Sequence, residues 1–362
     1  MIRFPYQRGV YKVELKKRNT EALRKYLLTS IYQSNGLAAA QYASHTFGIS
    51  LAAVYKQLER LEQDGLITSE KQGRTKRYSL VDLVVVDREY PLQQLNEDTI
   101  LSKDMSEILD GVTSVVRSVF SYVFTEMLNN AIDHSGSEAV TIHAYRNAYA
   151  IGCEISDHGV GIFRKIQNAM GLEEKRFAIL ELAKGKFTTD PSSHTGEGVF
   201  FSSKVADRFF IFSDALAFIG DNSVGDANPV LTDKLNDDQS KGTRVYFEVV
   251  LDRTVTFADI ANRYTEAPED YGFSKTIVPV RLLEYREVNP VFVSRSQAKR
   301  LLTRFERFKN IVLDFQDVDE IGQGFADEIF RVFANQHPDT SITYINATSM
   351  VIRMIRRAQS VT

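Results

Sequence analysis

One run, "VTSVVRSVFSYVFTEMLNNAIDHSG" from Val112 to Gly136, constrains this chain more than any other. Its apolar residues recur at spacings of three and four, which predicts a helix of about six turns with most of its circumference packed. Yet Glu126 and Asn130 lie four apart, so they share one face a single turn apart. Polar groups on a packed face cost free energy unless something pairs with them. A carboxylate stacked on an amide can hold a metal-bound phosphate and polarise a water. The amide supplies a neutral oxygen of the kind Mg²⁺ prefers, and the glutamate can serve as a general base. The segments that follow, "AVTIHAYR" and "YAIGCEISD", alternate as strands do, which places the helix on a sheet.

Three further pieces share the same 120-residue neighbourhood. "EISDHGVGI" ends a strand in Asp157 and continues through Gly159 and Gly161. A strand-end carboxylate can accept a hydrogen bond from an exocyclic amine, and the glycines let backbone approach a flat ring. "HTGEGVFFSSK" puts Gly196 and Gly198 directly ahead of a helix, where free N–H groups and the positive dipole end favour phosphates. "KGTRVYFEV" opens a strand with Gly242 and Thr243. The chain has no Gly-x-x-x-x-Gly-Lys-[Ser/Thr] loop, so a P-loop site is not the route here.

This ordered set resembles the GHKL ATPase superfamily of gyrase-type topoisomerases, heat-shock chaperones, histidine kinases and anti-sigma serine kinases. The resemblance spans roughly residues 108–251 and implies a Bergerat-type α/β sandwich binding ATP and Mg²⁺. It implies Glu126 as the base that activates water and Asn130 as the Mg²⁺ ligand. Asp133 and His134 sit where the same box continues toward the nucleotide. Asp157 corresponds to the acid that reads the adenine amine, with Gly159 and Gly161 beside the base. Gly196 and Gly198 correspond to the phosphate-facing end of the lid, and Thr243 to the final box near adenine. Lys204 falls close to a helix lysine of histidine kinases, one residue further from Gly198 than there. No phosphoacceptor-histidine helix precedes this region, which argues against a sensor kinase.

The N-terminal part differs in charge. Residues 1–80 carry 14 Lys+Arg against 6 Asp+Glu, a net +8, whereas the remainder carries 30 against 41, a net −11. A basic head on an acidic body suits a polyanion at one end. Helical spacing recurs in "TEALRKYLLTSIYQSN", "GLAAAQYASHTFGIS" and "LAAVYKQLERLEQDG", after which "LITSEKQGRTKRYSL" reads as a hairpin with a basic tip. Three helices and a basic hairpin resemble a winged helix-turn-helix, a double-stranded DNA-binding module. The expected contacts are Ser50, Tyr55, Lys56 and Arg60 on the third helix and Lys71, Arg74, Lys76 and Arg77 on the wing.

The expected organisation is an α+β and α/β multidomain chain. It runs as a winged helix over 1–85, a linker over 86–107, a GHKL-type domain over 108–252, a linker over 253–275 and a small STAS-like α/β domain over 276–362. The last assignment rests on β-α-β-α-β-α order and on "IVLDFQDVDEIGQGFADEIF", which resembles STAS-like domains, specifically one of unknown function found beside such ATPases. Where phosphorylation-switched STAS regulators carry Ser or Thr, this chain reads Ile321-Gly322-Gln323-Gly324-Phe325, which argues against phosphorylation there. The basic face of the last helix (Arg353, Arg356, Arg357) reads as solvated.

A lone cysteine, Cys153, and the lack of an apolar run near 20 residues make a cytoplasmic protein the expectation, with no membrane. The combined expectation is a regulatory protein in which Mg·ATP switches domain arrangement, dimerisation, or partner and DNA binding, with slow hydrolysis. A protein partner would use the STAS-like domain, and a homodimer fits two-fold DNA readers. An anti-sigma-type protein serine/threonine kinase and a non-catalytic interaction scaffold are the alternatives.

Overall fold

In the computed structural model, the described residues are 20–34, 39–73, 75–187, 196–222, 230–232, 241–265, 273–284 and 292–360. Three helices come first: α1 (Thr20–Ser34), α2 (Ala39–Phe47) and α3 (Leu51–Gln63). The Ser50 hydroxyl accepts from Ala53 N–H at 3.2 Å and caps α3. Val54, Leu58 and Leu61, on one stripe of α3, pack with Leu23, Leu27 and Ile31 of α1 and with Ala39 and Ala43 of α2. An antiparallel hairpin, β1 (Ile67–Gln72) and β2 (Thr75–Leu80), closes this core with Ile67 and Tyr78. The first compact unit comprises these elements up to Val84 together with Arg146–Tyr149, whose Ala148 packs on the same core.

The second unit holds the rest of the chain and two sheets. In chain order its first elements are β3 (Val84–Pro91), α4 (Glu97–Lys103), α5 (Ser114–His134), β4 (Ala139–Arg146), β5 (Ala150–Asp157), α6 (Ile162–Met170) and α7 (Phe177–Lys184). Then come α8 (Gly198–Val205), β6 (Arg208–Ser213), β7 (Leu216–Asp221), β8 (Val230–Thr232), β9 (Arg244–Val250) and α9 (Phe257–Ala261). Strands β3 to β9 form one seven-stranded sheet in the order β3-β4-β5-β9-β6-β7-β8. The central strand β9 runs antiparallel to both β5 and β6.

Helix α5 lies on this sheet through a broad apolar face, while Ser114, Arg117 and Ser118 face solvent. Val116, Val119, Phe120, Val123, Phe124, Met127 and Leu128 are all buried, and Phe120 meets Phe247 of β9 with ring centroids 5.3 Å apart. Side chains of this size each contribute about 1.5–3 kcal/mol on burial, so α5 and β9 anchor the layer.

The remainder runs β10 (Lys275–Pro279), α10 (Arg295–Leu302), β11 (Asn310–Asp314), α11 (Gln323–Asp327), a π-helical turn Glu328–Phe333, α12 (Ala334–Gln336), β12 (Ser341–Ile345) and α13 (Ser349–Gln359). The three strands make a parallel sheet in the order β10-β11-β12. Leu301 and Leu302 of α10, Phe325 of α11 and Val351 and Ile355 of α13 are all buried in this part.

Two expectations need correction. Residues 86–107, expected as a linker, contain most of the sheet's edge strand β3 and all of α4. Helix α4 starts there, with the Asn96 side chain accepting from Thr99 N–H at 2.8 Å. The 253–275 linker holds α9, closed by a capping box between Thr256 and Asp259. Helix α10 stops at Leu302, where Thr303 turns extended (ψ 126°) and Arg304 takes a left-handed conformation, φ 66°.

Candidate functional site

A pocket of about 300 Å³ opens beside the C-terminal half of α5. Glu126, Asn130 and His134 project into it at i, i+4 and i+8, each half-buried, so the polar stripe seen in the sequence is one wall. Asp157 at the end of β5 and Thr243 at the head of β9 form one end. Ile155, Ile211 and Val245 of the sheet supply apolar lining. Gly161 and Ile162 lead into α6, while Gly196 and Gly198 lead into α8.

Asp157 is buried, and among the described residues its carboxylate is held by backbone N–H groups. Oδ1 accepts from Gly159 N–H at 2.8 Å and from Thr243 N–H at 3.3 Å. Both bonds fall on Oδ1, and Oδ2 takes part in neither. Burial pushes the carboxyl above the ordinary aspartate range, and the two N–H donors only partly offset it. Thr243 joins the strand end to the next helix, since its hydroxyl accepts from Ile162 N–H at 3.0 Å. This arrangement fixes a buried acceptor beside apolar lining.

Two glycines set the pocket's shape by close approach. A Cβ on Gly159 would stand 1.9 Å from the Ser135 carbonyl oxygen, so the loop after β5 lies directly on the C-terminal turn of α5. A Cβ on Gly198 would stand 2.0 Å from Glu126 Oε2, so the first residue of α8 touches the Glu126 carboxylate. Distance along α5 therefore measures the pocket. Ser135 and Glu126 are nine residues apart, about 13 Å of helix, with Asp157 at the Ser135 end and the α8 N-terminus at the Glu126 end.

Of the residues singled out in sequence, Glu126, Asn130, His134, Asp157, Gly161, Gly196, Gly198 and Thr243 line the pocket together. Asp133, Gly159 and Lys204 do not line it. Asp133 is exposed on the next face of α5 and interacts electrostatically with Lys165. Gly159 shapes the loop from behind. Lys204 lies in the last turn of α8, its ammonium 5.8 Å from the Phe200 ring centroid.

Sequence reasoning missed Lys165 and Phe187, both of which line the pocket. Lys165 Nζ donates to the His134 carbonyl at 3.0 Å, and burial lowers its pKa. The available signal was α6 itself, whose Ile162, Lys165 and Ile166 share one face. Phe187 N–H donates to the Gly196 carbonyl at 3.0 Å, a pairing across nine residues that no local pattern marks. At the α8 N-terminus, burial also raises the pKa of Glu197, with Lys186 opposing.

On the first unit, Tyr55, Lys56 and Arg60 are exposed along α3, and Lys71 and Lys76 are exposed on the hairpin. Ser50 is exposed too, but its hydroxyl serves the cap. Arg77 is half-buried and pairs across the strands with Glu70. Lys71 faces Lys76 directly in the same register, a like-charge pair that destabilises a hairpin. Lys76 Nζ lies 4.0 Å from Glu62, a long contact between largely solvated groups. Arg74 lies outside the described residues.

Residues 297–351 match the family model of a STAS-like domain of unknown function (DUF4325). The C-terminal segment carries a STAS-like domain. Its loop at Gly322–Gly324 is tightly covered, since a Cβ on Gly322 would stand 2.7 Å from Val293 Cα. No curated protein matches the chain. Among the described residues, no helix is long and apolar enough to cross a membrane, and no cluster of three or more His, Cys, Asp or Glu could hold a metal ion.

Proposed function

We propose that the pocket binds Mg·ATP and that the protein is an ATP-dependent regulator with a DNA-binding N-terminal unit. The observation that carries this reading is the order of chemistry along the pocket. A buried acceptor beside apolar lining stands at one end, and a carboxylate, an amide and a helix N-terminus stand about 13 Å away. A nucleoside triphosphate has the same order, a flat base with an exocyclic amine and then a chain of anionic oxygens.

The residues present suit that ligand. Asp157 Oδ2 would accept from the exocyclic amine, with Ile155, Ile162 and Val245 against the ring. The N–H groups and dipole of α8, an eight-residue helix, would meet phosphate oxygens. Asn130 would supply one oxygen to Mg²⁺, which keeps waters and phosphate oxygens in its remaining positions. When bound, Mg·ATP supplies an electrophilic phosphoryl group. Glu126, held against the backbone of Gly198, would take the proton of the attacking water.

The first unit's exposed basic residues suit nucleic-acid phosphates. The Lys71–Lys76 pair gains most from an outside anion, because each charge opposes the other in the free hairpin. In this reading the STAS-like domain carries the protein-partner surface. Nucleotide occupancy changes which arrangement of the parts is favoured, by as much as the nucleotide's differential affinity for the two states.

The test is incubation of the full chain with Mg²⁺ and γ-labelled ATP. Phosphate release in the wild type and its loss in Glu126→Ala supports the reading. Label transferred to a protein reassigns it to a kinase, and no nucleotide binding removes it.

A further inference from the structure

One wall of the pocket is held from outside the nucleotide-binding sheet. Leu182, Gly185 and Phe187 line the pocket at the end of α7. Directly behind them sits a cluster of charged side chains with almost no solvent contact. Lys184 is 0% exposed, Glu181 2% and Arg304 8%. Lys184 Nζ donates to Glu181 Oε1 at 2.6 Å and to the Thr303 carbonyl at 2.9 Å. Arg304 Nη1 donates to Glu181 Oε2 at 2.9 Å, while Nη2 donates to the Gly185 carbonyl at 2.8 Å and also to the Lys186 carbonyl. On the same wall, the Thr276 hydroxyl of β10 donates to the Lys184 carbonyl at 2.8 Å. Three successive carbonyls of the pocket wall, 184 to 186, are therefore bonded by side chains of the C-terminal part.

The cluster is poorly explained as a stability device. Arg304 Nε is buried with no hydrogen-bond partner among the described residues. Arg304 and Lys186 both adopt left-handed backbone conformations, φ 66° and 52°, which cost energy for residues with a Cβ. Two cations share one carboxylate, and buried ion pairs of this kind are often replaceable by apolar side chains without loss of stability. What the strained geometry does achieve is a fixed backbone at Gly185–Phe187, and Phe187 in turn pairs with Gly196 just ahead of α8.

We propose that Arg304 is a positioning residue of the nucleotide pocket, so that the C-terminal part of the chain sets the geometry of the wall at the phosphate end. The proposal rests on the nucleotide reading above. Arg304 does not itself line the pocket; it acts through the Gly185 and Lys186 carbonyls and through the Phe187 ring, whose centroid lies 5.3 Å from its guanidinium carbon. That wall adjoins Gly196 and Gly198, not the Asp157 end. Loosening it therefore weakens binding of the triphosphate and leaves recognition of the base intact. Anything that docks on the C-terminal part and shifts Arg304 changes triphosphate affinity.

The experiment is calorimetric titration of the full chain with adenosine and, separately, with a non-hydrolysable ATP analogue plus Mg²⁺. Arg304→Met keeps the stem volume and leaves Lys184 and Glu181 paired with each other, so no buried charge is orphaned. It is expected to lower affinity for the analogue about tenfold and for adenosine less than twofold, with Arg304→Lys recovering part of the loss. Thr276→Val, close to isosteric, is expected to lower analogue affinity about threefold and serves as the deciding variant if Arg304→Met does not fold. An unchanged ratio of analogue to adenosine affinity in the folded variants overturns the proposal, as does an equal loss of both. Failure of the wild type to bind either ligand overturns the nucleotide reading instead.

Discussion

Replacing Asp157 by Asn separates a structural role from a recognition role, because the two fall on different oxygens. Oδ1 accepts from Gly159 and Thr243 N–H, and an asparagine oxygen can keep both bonds. Only Oδ2 changes, from acceptor to amide donor. A bound adenine amine would then meet a donor and lose a hydrogen bond to a charged group, about 1.5–3 kcal/mol. That corresponds to a roughly 10- to 150-fold weaker complex.

The free protein should respond differently. Burial raises the Asp157 pKa, so its contribution to stability is fully present below the unfolded value and is lost as pH rises through the folded one. At neutral pH the ionised carboxylate therefore costs stability, and Asp157→Asn should melt no lower than the wild type. The same shift predicts that nucleotide affinity falls on mild acidification, starting above the ordinary aspartate range. Calorimetry with a non-hydrolysable ATP analogue and with the corresponding inosine compound, which lacks the amine, checks this. A wild type that does not distinguish the two, or a variant that binds the adenine form within about twofold of wild type, would mean that Asp157 Oδ2 does not read the amine.

The two close-approach glycines should fail in opposite ways. Gly198→Ala meets the far end of the flexible Glu126 side chain, so the chain should keep its melting temperature within a few degrees while losing phosphate release. Gly159→Ala meets the Ser135 backbone carbonyl, which cannot rotate away, so thermal unfolding should show a loss of about 2–3 kcal/mol. For the hairpin, Lys71→Glu should reduce DNA affinity and lower the slope of log affinity against log salt by about one. It should also raise the melting temperature slightly, because it removes a like-charge pair. Unchanged salt dependence would make the hairpin a protein-contact element.

What the sequence made legible was local. Glu126 and Asn130 could be paired because helical spacing alone puts them on one face, and the same spacing carries the stripe to His134. The β-α-β-α-β-α order of the last segment follows equally from neighbours in the chain. Gly159 was grouped with the ligand-facing glycines, because its true neighbour, the Ser135 carbonyl, is 24 residues away in sequence. Strand β3 was taken into a linker because its burial pattern is that of an edge strand, mostly exposed. Nothing local in the sequence marks Arg304; its left-handed turn and its reach to Gly185 depend on a packing partner that periodicity cannot reveal.

The orientation of a nucleotide along α5 is visible in a crystal structure of the full chain with Mg²⁺ and a non-hydrolysable ATP analogue. The exocyclic amine is expected against Asp157, the metal on Asn130 and the terminal phosphate facing Glu126 at the head of α8. An analogue bound elsewhere, or lying in this pocket with its base at Gly198 and its phosphates at Asp157, would contradict it.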